Sequence, residues 1–135
     1  MKNLFYLLLL SVASLTLNSC EKDENNKPDI SFKTGAGYTS SSTTVASGST
    51  VLIGIHAVKA SDADVLKKLT VSLSRNGGTT TTEYTADLLP AQQDGFDFDF
   101  TPTLGLTAGD KYKFTFTVTD SDGSTDAVDL TLTTN

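Results

Sequence analysis

The 135-residue chain has one cysteine, one histidine, three prolines and no tryptophan. The lone cysteine, Cys20, excludes any disulfide within the chain, so a folded domain must be held together by its hydrophobic core alone. No segment longer than about two turns places apolar residues at a helical period, so no helical domain is expected. No internal repeat is visible either.

Basic residues are also scarce. The full chain has 10 Lys and Arg against 16 Asp and Glu, and without Lys2 the segment 20–135 keeps nine basic residues, for a net charge of −7. A chain of this charge is repelled by phosphate, and no basic stripe offsets the repulsion. We therefore expect no nucleic-acid partner.

Only one long apolar run is present, the 14 residues from Leu4 to Leu17, and Lys2 precedes it. A helix that spans a bilayer needs about 20 apolar residues, so this run is too short and is typical of a cleaved leader. No window after Cys20 approaches this length. A membrane attachment of the mature chain would therefore have to be covalent.

The apolar run closes with a short motif, Leu17-Asn18-Ser19-Cys20. This motif resembles the bacterial lipobox, in which the cysteine thiol is acylated and the leader is cut in front of it. The resemblance implies that Cys20 is the lipid attachment site and the first residue of the mature chain. Several acyl chains give a lasting hold on a membrane, whereas one gives reversible binding. The alternative is an ordinary secretory signal with Cys20 as a free thiol.

A charged stretch follows directly, made of Glu21, Lys22, Asp23 and Glu24. It resembles the acidic surface-export tag of Bacteroidota lipoproteins, which implies an outer-membrane protein facing the cell exterior. The alternative is a solvated linker, because this polar segment cannot bury apolar surface. We expect a signal peptide over residues 1–19, a lipidated N-terminus and flexible linker over 20–28, and one domain over 29–135.

Alternating apolar and polar residues predict short strands through the rest of the chain. Threonine makes up 21 of residues 20–135, which also favours strands. The seven predicted strands lie around residues 30–32, 49–57, 69–73, 79–84, 96–100, 112–118 and 128–132. Short strands separated by Gly or Asp turns favour an all-β fold, an immunoglobulin-like β-sandwich of about seven antiparallel strands.

Tyr112 begins the sixth predicted strand after a turn at Gly109, which is the position of a tyrosine corner. Residues 112–123 resemble the closing hairpin of PKD-like and fibronectin-III-like modules of secreted bacterial proteins. The resemblance implies a spacer, an adhesion unit or a glycan-binding accessory, and no catalytic residue carries over. The cysteine pair and core tryptophan of antibody domains are absent, which excludes that branch.

Three predicted loops, residues 59–68, 85–95 and 120–124, are expected at one pole of the sandwich. They carry four candidate calcium ligands, which are Asp62, Asp64, Asp120 and Asp122. Ca²⁺ prefers several carboxylate and other oxygen ligands, so the cluster suggests a calcium site. The alternative is an ordinary hairpin turn, because the run that begins at Asp120 fails the EF-hand spacing. No other cofactor is expected.

The opposite pole is the expected place for a recognition surface, since loops held by a rigid scaffold often carry binding residues. It is rich in Ser, Thr and Gly and includes Tyr38. The alternative is a solvated loop surface, because a sugar platform needs more aromatic rings than Tyr38 supplies.

No catalytic site is expected. Asp97 and Asp99 are two residues apart on one strand face, but a carboxylate pair for glycoside hydrolysis must flank a bond inside a cleft. His56 is expected on an outward face, and with Cys20 acylated neither a zinc site nor a nucleophile and base pair can be assembled.

These observations predict a cell-surface lipoprotein that is not an enzyme. Its sandwich would bind a protein or glycan partner, or act as an accessory module of an outer-membrane assembly. The alternative is a structural spacer or polymer subunit that associates through β-strand addition at an exposed edge.

Overall fold

A computed structural model describes residues 26–135. These residues form eight strands and one short 3-10 helix. The strands are β1 (Asp29–Phe32), β2 (Thr43–Val45), β3 (Ile53–Val58), β4 (Leu66–Arg75), β5 (Thr80–Asp87), β6 (Gly95–Phe100), β7 (Lys111–Asp120) and β8 (Thr125–Thr134), and the helix η1 spans Pro90–Gln92.

The strands make two packed sheets, in the orders β1-β3-β6 and β2-β8-β7-β4-β5. Every pairing between neighbouring strands is antiparallel except that of β2 with β8, which is parallel. The predicted all-β sandwich is therefore confirmed. All seven predicted strands are present, and the structure adds β2, whose only apolar residue is Val45.

The core lies between the two sheets, because alternate residues of each strand face inward. Its largest fully buried side chains include Phe114, Phe116, Ile53, Ile55, Leu69 and Leu130. Phe100 crosses from the three-stranded sheet and packs edge-on against Phe114 and Phe116, with ring centroids 5.7 and 5.9 Å away. Each fully buried aromatic or aliphatic side chain contributes about 1.5–3 kcal/mol, so this layer supplies the stability that disulfides supply elsewhere.

Three loops meet at one end of the sandwich, residues 59–65, 88–94 and 121–124. Backbone hydrogen bonds join them: Ser121 N–H donates to the Val65 carbonyl at 2.8 Å, and Leu66 N–H donates to the Gln93 carbonyl at 2.8 Å. We call this end, together with residues 26–28, the N-terminal pole. The opposite end, formed by residues 46–50, 76–79 and 101–110, is the far pole.

The predicted linker spans residues 20–28, and its described residues 26–28 contact the sandwich. Asn26 donates a hydrogen bond to the carboxylate of Asp64, Lys27 pairs with Asp126 at 2.8 Å, and Pro28 is fully buried. Composition alone suggested a solvated segment, whereas one proline and two polar side chains find partners on the domain. The described chain thus enters the fold at the N-terminal pole.

Candidate functional site

The four predicted calcium ligands lie near one another at the N-terminal pole, but they have different partners. The side chain of Asp62 is fully exposed and lies 3.6 Å from Lys59. Asp64 and Asp120 are buried, at 2% and 4% exposure. Among residues 26–135, no group of three or more His, Cys, Asp or Glu side chains is arranged to hold a metal ion.

Asp64 binds Asn26 and a residue of its own loop. Its Oδ2 atom accepts hydrogen bonds from Ser61 Oγ, at 2.7 Å, and from the side-chain amide of Asn26. The hydrogen bond from Ser61, followed by those involving Asn26 and Asp122, lowers the pKa of Asp64 against the opposing effect of burial. Asp64 therefore stays ionised and acts as the acceptor that fixes Asn26.

Asp120 organises the turn between β7 and β8. Its Oδ1 atom accepts hydrogen bonds from the backbone N–H groups of Asp122, at 2.9 Å, and Ser124, at 2.8 Å. This is the geometry of an Asx turn, in which an aspartate satisfies the backbone two residues on. Its Oδ2 atom is buried and has no hydrogen-bond partner among the described residues. The Asx turn thus explains the hydrogen bonds of Oδ1 but gives no partner to Oδ2.

Tyr112 lies where the tyrosine corner was expected. Its hydroxyl accepts a 3.1 Å hydrogen bond from the N–H of Gly105 in the preceding loop and lies 3.5 Å from Asp110 Oδ2. A Cβ atom at Gly105 would lie 2.6 Å from this hydroxyl, so the close approach requires glycine. The guanidinium of Arg75 lies over the ring, 5.3 Å from its centroid.

Asp110 connects this corner to the β4–β5 hairpin, a link that sequence reasoning missed. Its carboxylate accepts hydrogen bonds from Asn76 Nδ2, at 2.8 Å, and from the Arg75 guanidinium. These two donors, Asn76 first, lower the pKa of Asp110. Asn76 has a positive φ of 53° and its Oδ1 accepts from Lys111 N–H at 2.8 Å, so it holds the turn in place. An asparagine before two glycines was the available signal.

The outer face of the three-stranded sheet carries a polar cluster, which we call the sheet-face cluster. It consists of Lys33, Tyr38, His56, Asp97 and Asp99. His56 Nδ1 lies 2.7 Å from Asp97 Oδ1, Lys33 Nζ lies 3.0 Å from Asp99 Oδ1, and the Tyr38 hydroxyl donates to Asp99 at 3.2 Å. The hydrogen bond with His56 lowers the pKa of Asp97, and the interactions with Tyr38 and then Asp99 raise that of Lys33.

This arrangement places Tyr38 differently from the expectation. We expected an exposed ring at the far pole, but the ring lies on the sheet against Gly54, where an added Cβ atom would be 2.5 Å from the ring. Lys33 covers the ring with its ammonium group 4.7 Å from the centroid. Tyr38 is therefore half-buried and engaged on two sides. His56, Asp97 and Asp99 do face outward as expected, but each has a side-chain partner within the cluster.

The far pole is uncharged over long stretches. Its residues 46–50, 76–79 and 101–109 contain no Asp, Glu, Lys or Arg. Leu106 projects there and is 86% exposed. Tyr38 lies on the sheet and not at this pole. The described loops of the pole therefore expose hydroxyl groups and a single leucine rather than an aromatic platform.

Cys20 and the acidic stretch of Glu21, Lys22, Asp23 and Glu24 lie outside the described residues, so their roles stay predictions. Within residues 26–135 no helix is long and apolar enough to cross a membrane. No pocket is detected in this part of the chain. The candidate sites in the described domain are therefore open surfaces.

No family model matches this chain, and no curated protein matches it. Among solved structures, it is similar to the superoxide reductase (neelaredoxin) from Ignicoccus hospitalis, with a TM-score of 0.54 and 9% identity over 82% of this chain and 81% of that chain. A variant of the same reductase gives 0.53 and 8% over the same shares. The sporulation control protein Spo0M from Bacillus subtilis gives 0.42 and 14%, over 82% of this chain and 50% of that chain.

The two reductase structures overturn the expectation that this protein is not an enzyme. That expectation rested on the spacing of catalytic residue types and on the view that such a sandwich is a spacer or binding module. The same sandwich is the fold of an enzyme, so the architecture gives no ground for excluding catalysis. At 9% identity the likeness shows the fold alone.

Proposed function

We propose that this protein is a lipoprotein anchored through acylated Cys20 in the outer membrane and exposed on the cell surface. Its immunoglobulin-like sandwich acts there as a binding or accessory module for a protein or glycan partner. The proposal combines the lipobox-like motif with a domain that receives its tether at one pole.

The strand order supports the immunoglobulin-like assignment. Sheets of that fold pair the first, second and fifth main strands on one side and the third, sixth and seventh on the other. Here β1, β3 and β6 form one sheet, and β4, β7 and β8 lie in the other. β5 pairs with β4 rather than with β6, which is the arrangement expected of a fibronectin-III-like member.

The docking of residues 26–28 is the observation that carries the proposal. Five residues lie between Cys20 and Asn26, so an acyl anchor would hold the N-terminal pole within about 20 Å of the membrane. The ten residues of β8 extend the sandwich by about 33 Å. The far pole and the sides of the sheets would then be held clear of the lipid headgroups, where a partner can reach them.

Acylation is tested by feeding an alkyne analogue of palmitate to cells that make the full chain. We expect the label on the wild type and its loss in Cys20→Ala, with the variant released from the membrane fraction. Ser19→Ala keeps a small residue before the cysteine and is the matched control, so it should keep the label. An unlabelled wild-type protein would contradict the anchor.

Surface exposure is tested separately by antibody labelling of intact cells. The triple change Glu21→Ala, Asp23→Ala and Glu24→Ala is expected to reduce labelling while total protein and acylation stay constant. Equal labelling of the variant and the wild type would leave the anchor standing but reject the acidic stretch as the export tag.

A further inference from the structure

The free edge of β6 is the one long, regular sheet edge that the described chain leaves open. β6 pairs with β3 in an unbroken register from Gly95 to Phe100. The hydrogen-bonded pairs extend beyond the strand, since Lys59 N–H donates to the Asp94 carbonyl and Val51 N–H to the Pro102 carbonyl. Alternation along an antiparallel ladder then points the backbone groups of Phe96, Phe98 and Phe100 toward β3.

It follows that the N–H and C=O groups of Gly95, Asp97 and Asp99 point away from β3, toward the free edge. No hydrogen bond from another described residue to these backbone groups is seen. A row of unpaired backbone groups at regular spacing is a template for an added strand.

The other three edges are protected. β1 has four residues and β2 has three, and both are too short for a stable added strand. β5 has eight residues, but its register with β4 shifts between Val71 and Ser72, which leaves Glu83 as an extra residue in the edge strand. Such a bulge bends an edge and interrupts pairing.

The two faces beside the β6 edge differ in chemistry. On the inner face, Phe98 and Phe100 are only partly buried, and Tyr84 of β5 stacks on Phe98 with ring centroids 4.8 Å apart. On the outer face, the side chains of Asp97 and Asp99 are 58% and 46% exposed. Their partners His56 and Lys33 lie on the side away from the free edge. A strand at this edge would therefore meet aromatic rings on one face and carboxylates on the other.

We propose that the free edge of β6 binds an extended segment of a partner protein that alternates basic and apolar residues. The backbone of the segment would pair with Gly95, Asp97 and Asp99, its apolar side chains would contact Phe98 and Tyr84, and its basic side chains would face the two carboxylates. This inference rests on the proposed function, since such an edge serves a module that has a partner.

A second copy of this chain does not fit the same edge. Antiparallel pairing of β6 with β6 centred on Phe98 would place Asp97 opposite Asp99 of the copy, and pairing centred on Asp97 would place Asp97 opposite Asp97. Like charges directly opposite each other destabilise a sheet. The two acids thus select against self-association while attracting a basic strand. This favours a partner protein over the polymer subunit that was the alternative expectation.

A fluorescein-labelled peptide of alternating Lys and Val tests the proposal. It is titrated by fluorescence anisotropy against the acylated mature protein in a non-ionic detergent. We expect saturable binding that weakens as salt is added. An alternating Glu and Val peptide, and a Lys and Val peptide N-methylated at every second residue, should bind at least about tenfold more weakly. Equal binding of the N-methylated peptide would overturn the proposal, because it would show attraction by charge alone.

Variants locate the binding edge. Asp97→Pro removes an edge-facing N–H and should abolish binding, whereas Thr85→Pro, which makes the same change on the edge of β5, should not. If Asp97→Pro does not fold, the double variant Asp97→Asn with Asp99→Asn keeps the shape and should weaken binding about tenfold. Hydrogen exchange should show peptide-induced protection at Asp97 and Asp99.

Protection on β5 instead, or no binding by the Lys and Val peptide, would overturn the inference. Binding of glycans without binding of the peptide would also overturn it and would assign the module a glycan partner. None of these outcomes affects the acylation of Cys20, so the anchoring part of the proposed function is judged separately.

Discussion

Replacing Tyr112 by Phe removes one hydroxyl group from the interior and leaves the ring in place. Tyr112 is 6% exposed, and its hydroxyl accepts the 3.1 Å hydrogen bond from Gly105 N–H. Without it that donor loses its partner, which destabilises the fold by about 1–3 kcal/mol. A domain of this size loses about 4 °C in unfolding midpoint per kcal/mol, so we expect a decrease of about 4–12 °C in a thermal melt.

A double-mutant cycle with Gly105→Ala measures the coupling between residue 105 and the Tyr112 hydroxyl. The added methyl group would lie 2.6 Å from the Tyr112 hydroxyl, so Gly105→Ala should destabilise the wild type more than it destabilises Tyr112→Phe. We expect a coupling of about 1 kcal/mol between the two changes, measured by urea denaturation. Tyr84→Phe removes a hydroxyl from a ring that is 38% exposed and is the control, with an expected change below about 0.5 kcal/mol. If Tyr112→Phe matched this control, or if the two changes were additive, the tyrosine corner would contribute nothing to stability.

Three further predictions follow from the aspartates. The lowered pKa of Asp110 contributes stability that is complete above the unfolded-state pKa of about 3.9 and is lost as the pH falls through the native pKa. The midpoint of urea denaturation should therefore fall in acid for the wild type and fall less for Asp110→Asn. Parallel plots of midpoint against pH for the two proteins would contradict this. Asp120→Ala removes the acceptor of two backbone N–H groups and should cost about 2–3 kcal/mol in urea denaturation, and an unchanged midpoint would reject the Asx turn as a stabilising element. Excess EDTA and added Ca²⁺ should give the same thermal midpoint, because Asp62, Asp64 and one oxygen of Asp120 already have protein partners. A higher midpoint in Ca²⁺ would instead support the calcium site.

Six of the seven strands that the sequence predicted correctly have one apolar face, whereas the exposed strand β5 was predicted from its threonines and the turn at Asn76 before it. Ile53 and Ile55 in β3, or Phe114 and Phe116 in β7, alternate with polar residues because one side of each strand is buried. β2 has no such face, and its Thr43–Val45 segment is held by pairing with the end of β8 rather than by its own pattern. Propensity and alternation cannot detect a strand whose only support is a partner distant in sequence.

The candidate sites likewise divide into those that depend on local sequence, which could be predicted, and those that depend on contacts distant in sequence, which could not. The position of Tyr112 was predictable because a local turn at Gly109 precedes it, and its contact with Gly105 lies only seven residues away. The sheet-face cluster was not, because it depends on the chain after β1 folding back until Tyr38 covers Gly54. The hydrogen bond between Asn26 and Asp64 joins residues 38 positions apart, and composition alone cannot predict such a contact.

The likeness to a superoxide reductase concerns the fold, whereas the acidic edge of β6 concerns the residues on its surface. The fold is set by inward-facing residues such as Phe116 and Leu132, which any sandwich of this size must supply in some form. The outward-facing residues are free to differ, and the two proteins share only 9% of their residues overall. Asp97 and Asp99 are of this second kind, since their side chains are exposed while the phenylalanines of β6 make its apolar contacts. We therefore attribute the two acids on the long open edge of β6 to what this edge would repel and attract, as proposed above.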